Sequence, residues 1–94
     1  MKTIVKPTFR QHAQYVDLNM LCNWNDEVVL QMTDSEGRIL YTETIQVEGS
    51  ALQRRFNLSE LAADSYSISV RLQNAPLNRE FSELIKWSPK LAAN

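Results

Sequence analysis

The stretch Ser65-Tyr66-Ser67-Ile68-Ser69-Val70-Arg71-Leu72-Gln73 decides the fold class of this chain. Apolar and polar side chains alternate along it, so that one face carries Tyr66, Ile68, Val70 and Leu72. Successive side chains of a strand point to opposite faces, and a period of two therefore predicts a β-strand with one buried side. The serines and Arg71 predict that the opposite side of this strand faces water.

The same alternation continues on both sides of this stretch. Six further segments carry it: residues 3–11, 15–22, 27–33, 38–47, 52–58 and 79–87. Turn signals separate them, among them residues 34–37, where Gly37 is expected to take a positive φ as a structural residue. No segment shows a helix-length period of 3.6 residues. Evenly spaced short strands predict an all-β, seven-stranded, immunoglobulin-like sandwich with Greek-key connections.

Three residues interrupt the alternation and predict local irregularities. Pro7 cannot donate a ladder hydrogen bond, so the first strand is expected at a sheet edge or at a change of sheet. Glu43 predicts a bulge, bend or change of sheet, because the inward parity around it is apolar: Ile39, Tyr41, Ile45 and Val47. Arg54 sits in inward parity and predicts that its end of the strand lies on the rim.

Three connections have a local interpretation of their own. Residues 23–26, Asn-Trp-Asn-Asp, predict a turn between the second and third strands. Residues 59–64 are compatible with one helical turn, for which Ser59 would be the N-cap. Asn74-Ala75-Pro76-Leu77-Asn78 predicts a loop before the last strand.

Chain length and composition predict one folded domain. The 94 residues form a single domain over 1–94, with a core at about 3–87 and a flexible tail at 88–94. Hydrophobic residues make up 44% and charged residues 22%, which is ordinary globular usage and argues against disorder. No apolar run is long enough for membrane insertion.

Charge and cysteine content exclude several kinds of partner. The formal net charge is −1, so no global field attracts nucleic acid, and none is expected as a partner. Cys22 is the single cysteine, which excludes an intrachain disulfide and a multi-cysteine metal site. We expect a secreted or cell-envelope location if the chain belongs to an exported protein, and a cytoplasmic one otherwise.

The residue types needed for catalysis are present only as fragments. The single histidine, His12, and Cys22 are ten residues apart, with Cys22 in inward parity, which does not make an activated thiolate. Asp34-x-Glu36-Gly37 supplies too few oxygens for calcium and is explained as a turn. The chain has only two glycines, too few for a phosphate loop. We therefore predict no enzyme, no cofactor and no metal.

Apolar residues in outward positions are the more informative signal. Leu21 and Val29 fall on the outward parity of consecutive strands, and Leu40 and Leu84 do so elsewhere. If Leu21 and Val29 lie side by side, their face is a candidate interface with another protein or a neighbouring domain of the same chain. Free sheet edges offer a second route, by strand addition. The oligomeric state is left open between monomer and homodimer.

A cluster of arginines is a further candidate for a binding patch. The cluster comprises Arg54, Arg55, Arg71 and Arg79, of which Arg55 and Arg71 have outward parity and could share a face. Interleaved aromatic residues, which single-stranded nucleic acid binding requires, do not accompany them. A charged, solvated surface is the simpler interpretation.

Two stretches resemble a known group of modules. Residues 28–40 read as an apolar strand, an Asp-x-x-Gly-Arg turn and a second apolar strand; residues 56–70 read as a strand ending in Leu-Ser-x-Leu, a short corner and an alternating strand opened by Tyr66. Over about residues 16–87 the chain is similar to small immunoglobulin-like modules of Bacteroidetes exported proteins, including type IX secretion C-terminal sorting domains. In such a sandwich Tyr66 is a structural residue whose hydroxyl returns to an upstream backbone carbonyl.

These observations lead to one functional expectation with two alternatives. The first is a non-enzymatic protein-interaction or structural module of an exported bacterial protein. The second is a carbohydrate-binding sandwich, whose sugar-stacking candidates are Tyr15, Trp24, Tyr41 and Trp87. The third, implied by the resemblance, is a secretion-sorting domain.

Overall fold

The computed structural model describes residues 4–74 and 79–92. Within these ranges the chain forms seven strands and a one-turn helix, α1. The elements are β1 (Ile4–His12), β2 (Tyr15–Cys22), β3 (Asn25–Thr33), β4 (Ile39–Glu48), β5 (Ala51–Asn57), β6 (Asp64–Leu72), β7 (Glu80–Trp87) and α1 (Pro89–Ala92). Part of the segment expected to be a flexible tail thus forms α1. Apart from Asn74, the loop predicted at 74–78 lies outside the described residues.

The strands form two antiparallel sheets. Sheet A has the order β1-β2-β5 and sheet B the order β4-β3-β6-β7. The chain crosses between the sheets after β2, β4 and β5. The prediction of an all-β, seven-stranded immunoglobulin-like sandwich is confirmed. Because β4 pairs with β3 and not with β5, sheet A has only three strands.

Alternating residues of the central strands supply the core. They come mainly from β2, β3 and β6, and they include Val16, Leu18, Val28, Leu30, Ile68 and Val70, all fully buried. Burying one such side chain stabilises the fold by about 1.5–3 kcal/mol. In these strands the apolar residues of the alternating pattern are the ones that face the other sheet.

The irregularities fall partly where the sequence placed them. β1 is an edge strand, as Pro7 predicted, and its register against β2 shifts between Val5 and Thr8. The bulge expected near Glu43 is wrong in position. Register between β3 and β4 shifts instead between Met32 and Thr33, and Glu43 pairs regularly with Leu30. Glu43 keeps its inward place because a second charged residue neutralises it there, as described below.

Two connections differ from their predictions. The turn expected at 23–26 is shorter, because β3 already begins at Asn25. No helix forms at 59–64; the N–H of Leu61 donates to the carbonyl of Leu58 in a simple turn. The side-chain oxygen of Asn57 accepts a hydrogen bond from the backbone N–H of Ser59. Asn57 therefore supplies the capping side chain that the sequence assigned to Ser59.

The two sides of the sandwich are unequal. On one side β1 and β7 meet, and the Gln11 side-chain amide donates to the backbone carbonyl of Lys86 at 2.8 Å. On the other side β4 and β5 are the outermost strands of their sheets. We call this side, formed by β4 and β5, the open edge.

Candidate interaction surface

The two candidate catalytic side chains point away from each other. Cys22 is fully buried on the inner face of sheet A, and its thiol donates to the backbone carbonyl of Trp24 at 3.4 Å. His12 lies on the outer face, where its Nε2 is 2.8 Å from Asp17 Oδ2. The sheet separates the two groups, so they form no Cys–His pair.

The Asp34 carboxylate in the turn at residues 34–38 takes its hydrogen bonds from the turn itself. Asp34 Oδ1 accepts the N–H groups of Glu36 and Arg38, each at 2.9 Å, and Oδ2 accepts Arg38 Nε at 2.7 Å. The backbone hydrogen bond from Arg38 is the largest cause that lowers the pKa of Asp34. Gly37 has φ +81°, the conformation expected for it. Over residues 4–74 and 79–92, no group of three or more His, Cys, Asp or Glu side chains is placed to hold a metal ion.

A polar cluster occupies the outer face of sheet A. Arg55 donates to both carboxylate oxygens of Asp17, at 2.7 and 3.0 Å, and His12 approaches Asp17 from the other side. The Arg55 guanidinium also stacks over the Tyr15 ring at 4.6 Å. Hydrogen bonds from Arg55 and then from His12 hold the pKa of Asp17 far below its usual range. Each group already has a partner within the cluster. We therefore interpret the cluster as a structural contact that links β1, β2 and β5.

The four candidate interface residues do not form one patch. Leu21 is on β2 in sheet A and Val29 is on β3 in sheet B, so they face opposite sides of the molecule. They do not lie side by side, because β2 and β3 are consecutive in the chain but belong to different sheets. Val29 stands between Thr44 and Arg71, and Leu84 pairs with Ser67 on β6. For the same reason Arg55 and Arg71 do not share a face.

The aromatic residues do not build a sugar-stacking platform. Trp87 is buried, and its indole N–H donates a hydrogen bond to the backbone carbonyl of Leu61. Trp24 is half-buried, and its indole N–H donates to the carboxylate of Asp26. Tyr15 is covered by Arg55. Tyr41 remains exposed, but it lies on β4, away from the others. No observation favours the carbohydrate-binding alternative.

A run of exposed apolar residues lies at the open edge. Three consecutive residues of β4 are exposed: Ile39 by 59%, Leu40 by 46% and Tyr41 by 43%. Leu40 and Tyr41 line a groove of about 270 Å³ together with the apolar residues Met32, Phe56 and Leu61 and the polar residues Arg54, Arg55 and Asn57. Of the candidate interface residues, only Leu40 belongs to this surface.

An ion pair closes the middle of the open edge. Arg54 donates to both oxygens of Glu43, at 3.2 and 3.1 Å, and the Tyr41 hydroxyl donates to Glu43 at 2.6 Å. These bonds, Arg54 first, lower the pKa of Glu43. Both charged side chains have inward parity, and both lie on outermost strands. Arg54 stands in the middle of β5, so the prediction that it lies at a strand end is wrong. Because the two charges are opposite and paired, together they add no net charge to the groove.

Sequence reasoning missed Ile39 and Tyr41, which it placed inward by parity. The bulge explains Ile39, which pairs with Thr33 on the outer face of sheet B. Tyr41 does point inward, but sheet A has no fourth strand to cover it. The available signal was the run Ile39-Leu40-Tyr41 itself, three apolar residues without alternation directly after a turn.

Tyr66 makes the contact expected of it. Its hydroxyl donates to the backbone carbonyl of Ala62 at 2.6 Å, across the corner that leads from β5 to β6. Burial is the largest cause that raises the pKa of Tyr66. The structural role of this residue stays a prediction.

The architecture defines the class of protein as an immunoglobulin-like β-sandwich. The chain matches no protein-family model and no curated protein. Among solved structures it is similar to a DUF3244 family protein with an immunoglobulin-like β-sandwich fold from Bacteroides vulgatus. That match has a TM-score of 0.58 at 11% identity and covers 94% of this chain and 100% of the other. At this identity the likeness shows the shared fold alone.

Proposed function

We propose that this chain is a non-enzymatic protein-interaction module of an exported bacterial protein, and that it binds by accepting a strand at the free edge of β4. One observation carries the proposal: Ile39, Leu40 and Tyr41 are all exposed on an outermost strand, next to an apolar groove. Soluble proteins usually cover or charge such an edge, because it is a ready template for another strand.

The edge itself defines the chemistry of the occupant. β4 spans ten residues and pairs only with β3, so every second residue turns its backbone N–H and C=O outward. An extended polypeptide satisfies all of these groups at once. Alternate side chains of the added strand would enter the groove, where apolar residues fit best because the Glu43–Arg54 pair is already neutralised.

The export part of the proposal rests on likeness. Residues 16–87 resemble exported Bacteroidetes modules, and the structural neighbour comes from a Bacteroides species. The more specific resemblance to type IX sorting domains stays a prediction. No helix in the described part of the chain is long and apolar enough to cross a membrane.

Site-specific photo-crosslinking in producing cells tests this function. A photoreactive residue in place of Thr42, on β4, is expected to yield a covalent adduct with a polypeptide. The matched control replaces Asn19, which is also exposed but lies on β2 in the middle of sheet A. Adding Leu40→Lys to the Thr42 variant should reduce the adduct. Adducts from Asn19 as abundant as those from Thr42, or none from Thr42, would contradict the proposal.

A further inference from the structure

We propose that the strand accepted by β4 is β4 of a second copy of this chain, antiparallel to it, with the two-fold axis at Glu43. The inference rests on the proposed function and names its partner. Isologous two-fold dimers are the commonest protein assembly, and they require a surface that is complementary to itself. The sequence of β4 has this property about Glu43.

Residues on the inner face match apolar with apolar. With the axis at Glu43, Tyr41 of one copy stands opposite Ile45 of the other, and the pair occurs twice. Tyr41 is exposed and Ile45 is only partly buried against the core, so both have surface left to bury. Aromatic and β-branched residues directly opposite each other are a favourable cross-strand pair.

Residues on the outer face match equally well. Thr42 stands opposite Thr44 of the other copy, again twice, and both side chains are exposed in the single chain. Paired threonines can exchange hydrogen bonds across a sheet. Further out, Arg38 of each copy approaches the Glu48 end of the other strand, which brings opposite charges together.

Glu43 meets its own copy at the axis, which would be unfavourable for two free carboxylates. In this chain each Glu43 already accepts two bonds from Arg54 and one from Tyr41. The pair therefore brings no uncompensated charge to the axis. Each monomer supplies its own compensation, so the dimer needs no additional group there.

Neighbouring registers are worse. An axis at Thr44 sets the Glu43 carboxylate against the apolar side chain of Ile45. An axis at Thr42 sets Ile45 against Ile39, which the bulge has turned to the other face of sheet B. Of these three axes, at Thr42, Glu43 and Thr44, the one at Glu43 gives Ile45 an apolar partner on its own face.

Disulfide trapping between two single-cysteine variants tests the register. Opposite residues on antiparallel strands have Cα atoms about 4.5–5.5 Å apart, within disulfide reach, whereas residues two positions out of register lie about 7–8 Å apart. Thr42→Cys mixed with a size-tagged Thr44→Cys should therefore give a cross-linked heterodimer under mild oxidation. Neither variant alone should cross-link as fast. The native Cys22 is fully buried and does not compete.

The outcomes separate the dimer from the broader function. Heterodimer above the yield of random collision, together with a dimer mass for the wild type in sedimentation, supports the proposal. Faster cross-linking of Thr42→Cys or Thr44→Cys alone overturns the register at Glu43. A monomer at every concentration, with no cross-linking, overturns the dimer; the proposed function survives only if Thr42 in cells is joined to a different polypeptide.

Discussion

A single buried carboxylate organises one end of the sandwich. Asp26 is 2% exposed; its Oδ2 accepts the indole N–H of Trp24 at 2.8 Å, and its Oδ1 accepts the N–H groups of Glu27 and Asn74 at 2.7 and 2.9 Å. Asp26→Ala removes an acceptor that three donors share, and should lower the free energy of unfolding by about 2–4 kcal/mol. Asp26→Asn keeps one carbonyl acceptor and should cost less.

Urea unfolding measures both Asp26 variants, with Glu60→Ala as an exposed acidic control outside the strands. If Asp26→Ala costs no more than Glu60→Ala, the carboxylate does not organise this end. The sequence placed Asp26 in a turn, because an Asp after Asn-Trp-Asn has the composition of a loop. Its role depends on Asn74, 48 residues away, and so it follows from the tertiary fold.

Tyr66 is the residue whose role was predicted from the sequence and now has a defined contact. Tyr66→Phe keeps the buried ring and removes only the hydroxyl bond to Ala62, which should cost about 1 kcal/mol in the free energy of unfolding. Tyr15→Phe is the matched control, since the Tyr15 ring lies on the outer face under Arg55. Equal unfolding midpoints in denaturant for the two variants would show that the corner does not depend on this hydrogen bond.

At the scale of elements, the β1–β2 hairpin carries a strained residue. Ala13 has φ +49°, in a two-residue connection where the first position commonly demands glycine. A left-handed conformation costs an L-residue about 1–2 kcal/mol, partly offset by the greater freedom of glycine in the unfolded chain. Ala13→Gly should therefore raise the free energy of unfolding by about 0.5–1 kcal/mol. Gln14→Gly, measured by thermal unfolding alongside it, should not raise stability.

Ion pairs that join neighbouring strands make stability depend on pH. Hydrogen bonds from arginines lower the pKa values of Asp17 and Glu43 in the folded chain. Such groups stabilise the fold fully above the ordinary carboxyl pKa of about 4, and this contribution is lost as pH falls through the folded values. The free energy of unfolding should thus be lower at pH 3 than at pH 7. Asp17→Asn should show a smaller difference between the two pH values, and an unchanged difference would exclude Asp17 as a cause.

The elements themselves were largely predictable, because burial leaves a local pattern. β2 has the predicted bounds, and β6 and β7 differ by one or two residues at their ends. The bulge was misplaced because the change of register belongs to the β3–β4 pair and not to either strand alone. Glu43 looked like a break in the pattern, yet Arg54, from the facing sheet, holds it inside. Parity predicts which face a residue takes, but not what lies opposite that face.

The whole molecule depends on a choice that local pattern does not contain, namely which strand pairs with which. Leu21 and Val29 would share a face only if their strands, which are consecutive in the chain, were paired in one sheet. The crossing after β2 sends them to opposite faces, and the pairing of β4 with β3 leaves sheet A one strand short. That imbalance leaves Tyr41 uncovered and creates the open edge, while the bulge turns Ile39 to the outer face.

The same imbalance predicts how protection from hydrogen exchange is distributed. Interior strands bond on both sides, so amides of β2, β3 and β6 should exchange slowest, through opening of the whole domain. Every second amide of β4 faces outward and should exchange fast in dilute protein. If β4 pairs with a second copy, those outward amides alone become protected as protein concentration rises, because association stabilises the bound form by mass action. Exchange measured by NMR at two concentrations distinguishes the cases, with the outward amides of β7 as the control edge. If protection rises with concentration at β7 but not at β4, the dimer interface lies at β7 and the proposed pairing of β4 is wrong. If the outward amides of β4 are equally protected at both concentrations, β4 does not pair with a second copy of this chain.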